Sequence, residues 1–309
     1  MIKIIAIQPE VMFSPTGIRE YLKDFGTARG RWIPLVPNDW RTCVSQAIKE
    51  RTDLSVVEKN NLRDKIVHPR NRDKFLKVDG ISEMAGGWHE LVNDFLARKD
   101  FDGAIVSSPD DSNPQFMVAH QFDPEAESYS VKTSGFLPRK PDELVTPIVP
   151  ILRFAKELHV IDPYCFSAGS STDSYARFFE GLLMACRKHN PKLKIVTLHR
   201  RCPESLDREN ERKNYESWIL PILKEGESFR VHYLEELPGG DNIHLRAVFT
   251  DRALVTGHYG FGGDAVYETT DVVLREHMDL LKIRGDYLDE RRRAFKFHDP
   301  PLEINFRKP

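Results

Sequence analysis

The strongest constraint on the fold is an alternation of helix-like and strand-like segments in the second half of the chain. The apolar spacing predicts helices over residues 142–158, 173–188 and 205–225, and strands over residues 159–161, 193–198 and 229–234. Strands that alternate with helices of this length form a sheet with helices packed on its faces. The sequence therefore predicts an α/β fold for this half of the chain.

Polar residues occur where two of these strands end. Asp162 follows the first predicted strand and His199 follows the second, so both are expected at the carboxyl edge of the sheet, where open α/β sheets generally place ligands. Two interpretations of the Asp162–Pro163–Tyr164 run remain open. It is either a turn with Tyr164 packed beneath it, or a site in which Asp162 pairs with a cationic residue.

The segment over residues 242–264, NIHLRAVFTDRALVTGHYGFGGD, carries the clearest chemical pattern. His244, Arg246 and Asp251 stand at H-x-R-x4-D spacing. Side chains alternate along extended backbone, so His244 and Arg246 are expected to point one way while Leu245 and Ala247 point into the core. An imidazole can attack phosphorus or move a proton, and a guanidinium can hold two phosphate oxygens. Asp251 either orients these side chains or simply begins a turn.

This spacing resembles the H-x-K-x4-D motif of the phospholipase D superfamily, with Arg246 where the family has lysine. The resemblance implies a mixed sheet flanked by helices. It also implies an active site built from two motifs, in which one histidine becomes phosphorylated and the other acts as acid and base. Since the chain carries one good copy, catalysis would require a homodimer.

The pattern is most similar to one branch of that superfamily, the C-terminal domain of microtubule-interacting-and-transport (MIT) proteins. Asp162, Pro163, Tyr164, His244 and Arg246 match the recurring features of the branch, and the resemblance spans residues 154–270. Eukaryotic members are regarded as membrane-binding modules without catalysis. The resemblance therefore also implies a non-catalytic role for this domain, and it leaves the N-terminal half of the chain unassigned.

Two further features could extend a phosphate site. Gly257 and Gly260, with Gly262 and Gly263 behind them, either present backbone N–H groups to an anion or form a plain loop. His199 and Arg201 form a second H-x-R, but the next acid, Asp207, falls one residue too late for a full motif. We therefore expect either a phosphate-positioning patch or a solvated loop there.

The first half of the chain has a different pattern. A strand is predicted over residues 2–7, helical spacing runs through residues 14–99, and a short strand follows at 101–107. A polar, proline-containing stretch over residues 123–143 suggests a connection between domains. We expect a mainly helical α+β domain over residues 1–138 and a phospholipase D-like domain over residues 139–309.

Charge and composition limit the function. A formal net charge of −2 argues against a chain that binds nucleic acid over its whole surface, so any polyanion site must be local. No apolar run reaches the length of a membrane span, and the four cysteines lack C-x-x-C pairing, so we expect reduced thiols and a cytoplasmic protein. Histidine and cysteine spacings indicate neither a metal site nor a cofactor.

Two functions follow from these residues. The first is a phosphodiester-recognising protein that binds nucleic acid or a lipid headgroup through His244 and Arg246, and that hydrolyses phosphodiesters without metal if it forms a homodimer. The second is a non-catalytic interaction or membrane-recruitment module that retains a degenerate site.

Overall fold

The computed structural model describes residues 1–78, 87–110, 113–167, 171–240, 243–262, 269–289 and 294–306. The chain divides into two compact units, Met1–Thr133 and Ser134–Pro309.

The first unit is built on a parallel sheet. Its strands are β1 (Lys3–Ile7), β2 (Arg31–Leu35), β3 (Phe75–Lys77), β4 (Gly103–Val106) and β5 (Phe116–Val118), and its helices are α1 (Pro15–Asp24), α2 (Trp40–Glu50), α3 (Val56–Val67) and α4 (Trp88–Ala97). Within the described residues the strand order is β3-β2-β1-β4-β5, and every pairing is parallel. A parallel sheet connected through helices is an α/β arrangement, which corrects the α+β part of the expectation, although the helices of this unit hold more residues than its strands.

The sequence pattern missed three of these strands, β2, β3 and β5, and β5 has only three residues. A strand buried along most of its length has no polar alternation, and β2 (RWIPL) is apolar after Arg31, with four of its five residues buried. β3 has only three residues, too few to show any period. β2 and β3 were absorbed into the helical spacing of their neighbours.

The second unit is a mixed α/β sheet, as predicted. Its strands are β6 (Ser134–Pro138), β7 (Leu158–Ile161), β8 (Ile195–Arg201), β9 (Ser228–Glu236), β10 (Ala247–Thr250), β11 (Leu254–Gly257), β12 (Thr269–Leu274), β13 (Phe295–Phe297) and β14 (Leu302–Asn305). Its helices are α5 (Pro141–Val145), α6 (Val149–Leu152), α7 (Thr172–His189), α8 (Arg208–Trp218) and α9 (His277–Leu288). Among the described residues the order is β13-β9-β8-β7-β10-β11-β12-β6, with β14 also paired to β9.

The directions of the central strands determine which residues meet at one edge of the sheet. β7, β8 and β9 are parallel, so their carboxyl ends meet at one edge of the sheet. β10 runs antiparallel to β7, which brings the residues just before β10 to that same edge. The predicted alternation of helices and strands is confirmed here, although residues 142–158 form two short helices instead of one. Pro147 lies between the two helices, and Pro150 stands in the first turn of α6, where a helix tolerates proline.

The two faces of this sheet carry different helices. One face, called the α9 face, packs Ile161, Leu234, Ala247 and Phe249 against Leu280 and Tyr287 of α9. The opposite face, called the α7 face, packs against α7 through ring contacts such as Phe179 with Phe229. Since side chains alternate along a strand, each strand residue belongs to one face only.

The division between the units falls earlier than the sequence suggested. β6 pairs along five residues with β12, so the strand Ser134–Pro138 belongs to the second unit. All four cysteines are free thiols. No helix in the described ranges is both long and apolar enough to cross a membrane.

Candidate functional site

Arg246 lies at the carboxyl edge of the sheet, immediately before β10. Its guanidinium carbon stands 5.1 Å from the centre of the Tyr164 ring. Nη1 donates to the carbonyl oxygen of His258 at 3.1 Å, and more weakly to that of His244 at 3.5 Å. In the described part of the chain, Nη2 and Nε have no hydrogen-bond partner. Arg246 is therefore held by one end while the other N–H groups remain available.

His244 occupies the same side of the chain as Arg246. Its Nδ1 lies 3.5 Å from the hydroxyl of Tyr164, and the residue is exposed. Leu245 and Ala247 join the apolar cluster of the α9 face. The predicted alternation is confirmed, even though regular strand pairing begins only at Ala247. An exposed imidazole and a partly exposed guanidinium thus flank one tyrosine.

Asp162 supports this group from inside the sheet. It is completely buried and accepts hydrogen bonds from the Tyr175 hydroxyl at 2.8 Å and from the Tyr164 backbone N–H at 3.1 Å. Burial raises the pKa of the Asp162 carboxyl, and the Tyr175 hydrogen bond and the nearby charge of Arg246 offset part of that rise. The run forms a turn, but Tyr164 is 36 % exposed and is not packed beneath it, whereas the Asp162 carboxyl does lie near the charge of Arg246.

Gly260 lies next to the side chains of Asp162 and Arg246. Its φ is +83°, a left-handed conformation that glycine adopts without steric cost. A Cβ at this position would lie 2.7 Å from Oδ2 of Asp162 and 3.1 Å from Cδ of Arg246. The glycine therefore lets the loop backbone approach both charged side chains.

The rest of the glycine-containing loop is internally bonded. The N–H of Gly257 donates to the carbonyl of Arg246, and that of Phe261 reaches Oδ2 of Asp162 at 3.5 Å. The N–H groups of His258 and Tyr259 bond to Asp271 and Thr270. Most of the loop amides are therefore already used, which favours a structural role over an anion cradle. Gly263 lies outside the described residues.

Sequence reasoning missed two residues that hold the site together. Tyr175, in the first turns of α7, donates to Asp162, and Arg139 donates through Nη2 to the carbonyls of Tyr259 and Gly262, at 3.0 and 2.7 Å. Arg139 sits just after β6, inside the stretch that was assigned to a connection between domains. No local motif marks either residue, since each acts through an element distant in sequence.

Asp251 lies away from this group. It follows the last residue of β10, so about 16 Å of extended chain separates it from Arg246. Its carboxylate accepts from the backbone N–H of Lys156 at 2.8 Å and pairs with Arg252 at 3.1 Å. Asp251 therefore belongs to the β10–β11 turn, the simpler of the two predicted roles.

His199 and Arg201 are not brought to His244 either. His199 pairs with Ile161 in the sheet, which places both side chains on the α9 face, whereas Asp162 points to the α7 face. The His199 side chain is 1 % exposed and lies 3.0 Å from Nδ1 of His159. Arg201 is half-exposed and pairs with Glu236 at 3.7 Å. The sheet itself separates this second H-x-R from the first.

The arrangement is suited to binding an anion on an open surface. Tyr164 is 36 % exposed, and its ring limits the positions that the Arg246 guanidinium can take. The free N–H groups of Arg246 can then grip two oxygens of a phosphate while the His244 imidazole stands next to it. Among the described residues there is no group of three or more His, Cys, Asp or Glu placed to hold a metal ion.

Comparisons with known proteins are limited. No family model matches the chain, and no curated protein matches it by sequence. Among solved structures, a match is found to TrmBL2, an archaeal chromatin protein with a novel mode of DNA binding (13 % identity, 58 % of this chain, 59 % of that chain, TM-score 0.28). Another is to phosphatidylserine synthase from Haemophilus influenzae Rd KW20 (14 % identity, 52 % of this chain, 38 % of that chain, TM-score 0.31). The chain thus spans less than two thirds of each of these proteins.

Proposed function

We propose that the second unit is a phospholipase D-like domain that recognises a phosphodiester group through Arg246 and His244. The observation that carries this proposal is the guanidinium of Arg246, which is fixed over Tyr164 beside the exposed imidazole of His244. A guanidinium that keeps free N–H groups on an open surface can bind two phosphate oxygens together. Nucleic acids and lipid headgroups share this phosphodiester chemistry.

The same geometry defines how hydrolysis would proceed. Since Nδ1 of His244 faces the Tyr164 hydroxyl, Nε2 is the nitrogen available to attack phosphorus. The oxygen of the leaving alcohol must then receive a proton, and water must later cleave the phosphorus–nitrogen bond. In the described part of the chain, His244 is the one imidazole in contact with Tyr164. The acid and base would therefore be the His244 of a second copy in a homodimer.

A non-catalytic module is the second candidate. It is favoured by the internal contacts of Arg246, which bind its Nη1 to two backbone carbonyls and place its charge near the buried Asp162. A residue held in this way can bind a phosphate group without the freedom that a reacting site requires. Recognition would then work in a monomer and would recruit the protein to a phosphate-bearing partner or membrane.

The two candidates are separated by a cleavage assay. The full chain would be incubated with bis(p-nitrophenyl) phosphate and with single- and double-stranded DNA and RNA, in the presence of a metal chelator. The variants are His244→Ala and Arg246→Ala, with Arg252→Ala as the matched control at the opposite end of β10. Arg252→Ala removes the same charge without touching the site.

Chelator-resistant turnover that disappears in His244→Ala, but persists in Arg252→Ala, would support the hydrolytic form. Absence of turnover, with phosphodiester binding that weakens in Arg246→Ala but not in Arg252→Ala, would support the recognition module. Binding or turnover that is equal in all three variants would overturn the proposal for this site.

A further inference from the structure

A cavity opens at the end of the second unit's sheet that is opposite to the Arg246 site. It has a volume of about 500 Å³, within the range of small-molecule sites. Lys156 precedes β7, Lys192 and Lys194 precede β8, and Gly226 precedes β9, so the cavity lies at the amino edge of the three parallel strands. Asp162 and Tyr164 follow β7 at the carboxyl edge. The length of β7, roughly 13 Å, therefore separates this lysine pocket from the site of Arg246.

The lysine pocket is locally positive in a chain whose net charge is −2. Its two carboxylates are neutralised from outside, because Glu157 pairs with Arg284 and Glu227 pairs with Arg187. Arg230, on the pocket wall, pairs in turn with Glu303 at 2.8 Å.

The charge that remains comes from the lysines. Within the described residues, the ammonium groups of Lys192 and Lys194 have neither an ion-pair nor a hydrogen-bond partner. Two unpartnered ammonium groups on one cavity can each bind an anionic oxygen.

The walls between these charges are apolar and hydroxylic. Ile195 is 43 % exposed and stands in the cavity, with the partly buried ring of Phe306 nearby. Thr197 and Ser228 supply hydroxyl groups from the sheet. A simple inorganic anion would leave the apolar walls uncovered, whereas a molecule with a flat apolar group would cover them.

The His159 imidazole on the cavity wall is uncharged at neutral pH. His159 lines the cavity and is 8 % exposed, and burial with the charge of Arg230 lowers its pKa to about 4. The imidazole therefore adds no positive charge at neutral pH. The lysines remain the groups that would recognise an anion.

We propose that the lysine pocket binds a phosphorylated small molecule with a planar apolar group, such as a nucleoside phosphate. Lys192 and Lys194 hold the phosphate oxygens, and Ile195 with Phe306 covers the planar group. This site is independent of Arg246 and does not rest on the function proposed for the carboxyl edge.

The test is calorimetric titration of the full chain with ATP, AMP, adenosine and inorganic pyrophosphate. ATP and AMP are expected to bind, pyrophosphate to bind at least about tenfold more weakly than ATP, and adenosine to give no detectable binding. Lys192→Gln/Lys194→Gln is expected to weaken ATP binding by about tenfold or more, since it removes two charge-assisted contacts. The matched control, Lys49→Gln/Lys213→Gln, removes the same charge from exposed positions outside the cavity. Arg246→Ala reports any binding at the carboxyl edge.

The control pair and Arg246→Ala are both expected to bind ATP as the native chain does. The proposal is overturned if no probe binds, if pyrophosphate binds as tightly as ATP, or if the lysine-pocket pair binds ATP unchanged. It is also overturned if ATP binding is lost in Arg246→Ala. A single-stranded DNA oligonucleotide that binds through the lysine-pocket pair, without any binding of ATP, would replace the small molecule by nucleic acid.

Discussion

Tyr164 contacts both residues that define the carboxyl-edge site, and each contact predicts a different variant. Its ring carries the Arg246 guanidinium, while its hydroxyl lies 3.5 Å from His244, at the long limit of a hydrogen bond. Tyr164→Leu removes the ring and about 0.5–1 kcal/mol of cation–π stabilisation, so phosphodiester binding should weaken severalfold. Tyr164→Phe keeps the ring and should bind nearly as the native chain does. Equal losses in both variants would show that the ring does not position Arg246.

Gly260 provides a second prediction, on stability. Gly260→Ala forces a left-handed φ on a residue with Cβ and places that atom 2.7 Å from Asp162. The expected loss in the free energy of unfolding is roughly 1–3 kcal/mol, measured by urea denaturation. Gly285→Ala is the control, because Gly285 lies in α9 with open space around it and should gain about 0.5–1 kcal/mol. A Gly260→Ala chain as stable as the native one would contradict the close approach of the loop.

Individual residues were predictable where local backbone geometry decides the outcome. His244 and Arg246 share one side because alternation is a property of extended chain. Asp251 and His199 were grouped with them by spacing and chemistry alone. Their actual positions depend on which end of β10 the residue occupies and which face of β8 it points to, and both follow from pairings between distant strands.

At the scale of elements, the pairing of β7 with β8 creates a buried histidine contact on the α9 face. Nδ1 of His159 lies 3.0 Å from Nε2 of His199, and the His159 ring stacks on Phe249 at 4.7 Å. Glu157 lies 3.6 Å from Nε2 of His159, and Arg230 faces the same ring from β9. The contact requires at least one of the two rings to accept a hydrogen bond, so it favours neutral imidazoles.

The burial of His159, together with the nearby charge of Arg230, predicts a pH dependence of stability. The folded pKa of His159, about 4, lies below its ordinary value of 6.5. The unfolded chain therefore binds the proton first, so this contribution is complete above pH 6.5 and is lost as the pH falls to about 4. The total loss from this residue is about 3 kcal/mol. Urea denaturation over that pH range should show a shallower loss for His159→Gln than for the native chain. His120→Gln, a control at an exposed position, should retain the native slope, and identical slopes in all three chains would refute the prediction.

Helices and strands were predictable where they are long enough to show a clear hydrophobic period. α7 and β9 were found because 18 and nine residues show a clear pattern, and α7 also carries an Ser171 cap at its start. β2 was missed because a strand buried along most of its length has no polar alternation, and β3 and β5 were missed because three residues show no period. Residues 142–158 were joined into one helix because apolar spacing continues across Pro147, which lies between α5 and α6.

For the whole molecule, the division at Thr133 predicts how the second unit can be isolated. A fragment of residues 134–309 keeps β6, whereas a fragment of residues 139–309 exposes the edge of β12 that β6 covers. The longer fragment should therefore melt several degrees higher by circular dichroism, and the shorter one should aggregate more readily. Equal melting temperatures for the two fragments would show that β6 contributes nothing to the second unit.

The proposed recognition depends on one contact, that of a phosphodiester with Arg246 beside His244. Titration with dimethyl phosphate, followed by the NMR signals of the His244 imidazole, tests this contact directly, and His244→Ala identifies those signals. We expect a saturable shift in the native chain and in Arg252→Gln, and a loss of that shift in Arg246→Gln. An imidazole signal that stays unchanged in the native chain, or that shifts equally in Arg246→Gln, would show that the phosphodiester does not bind at Arg246.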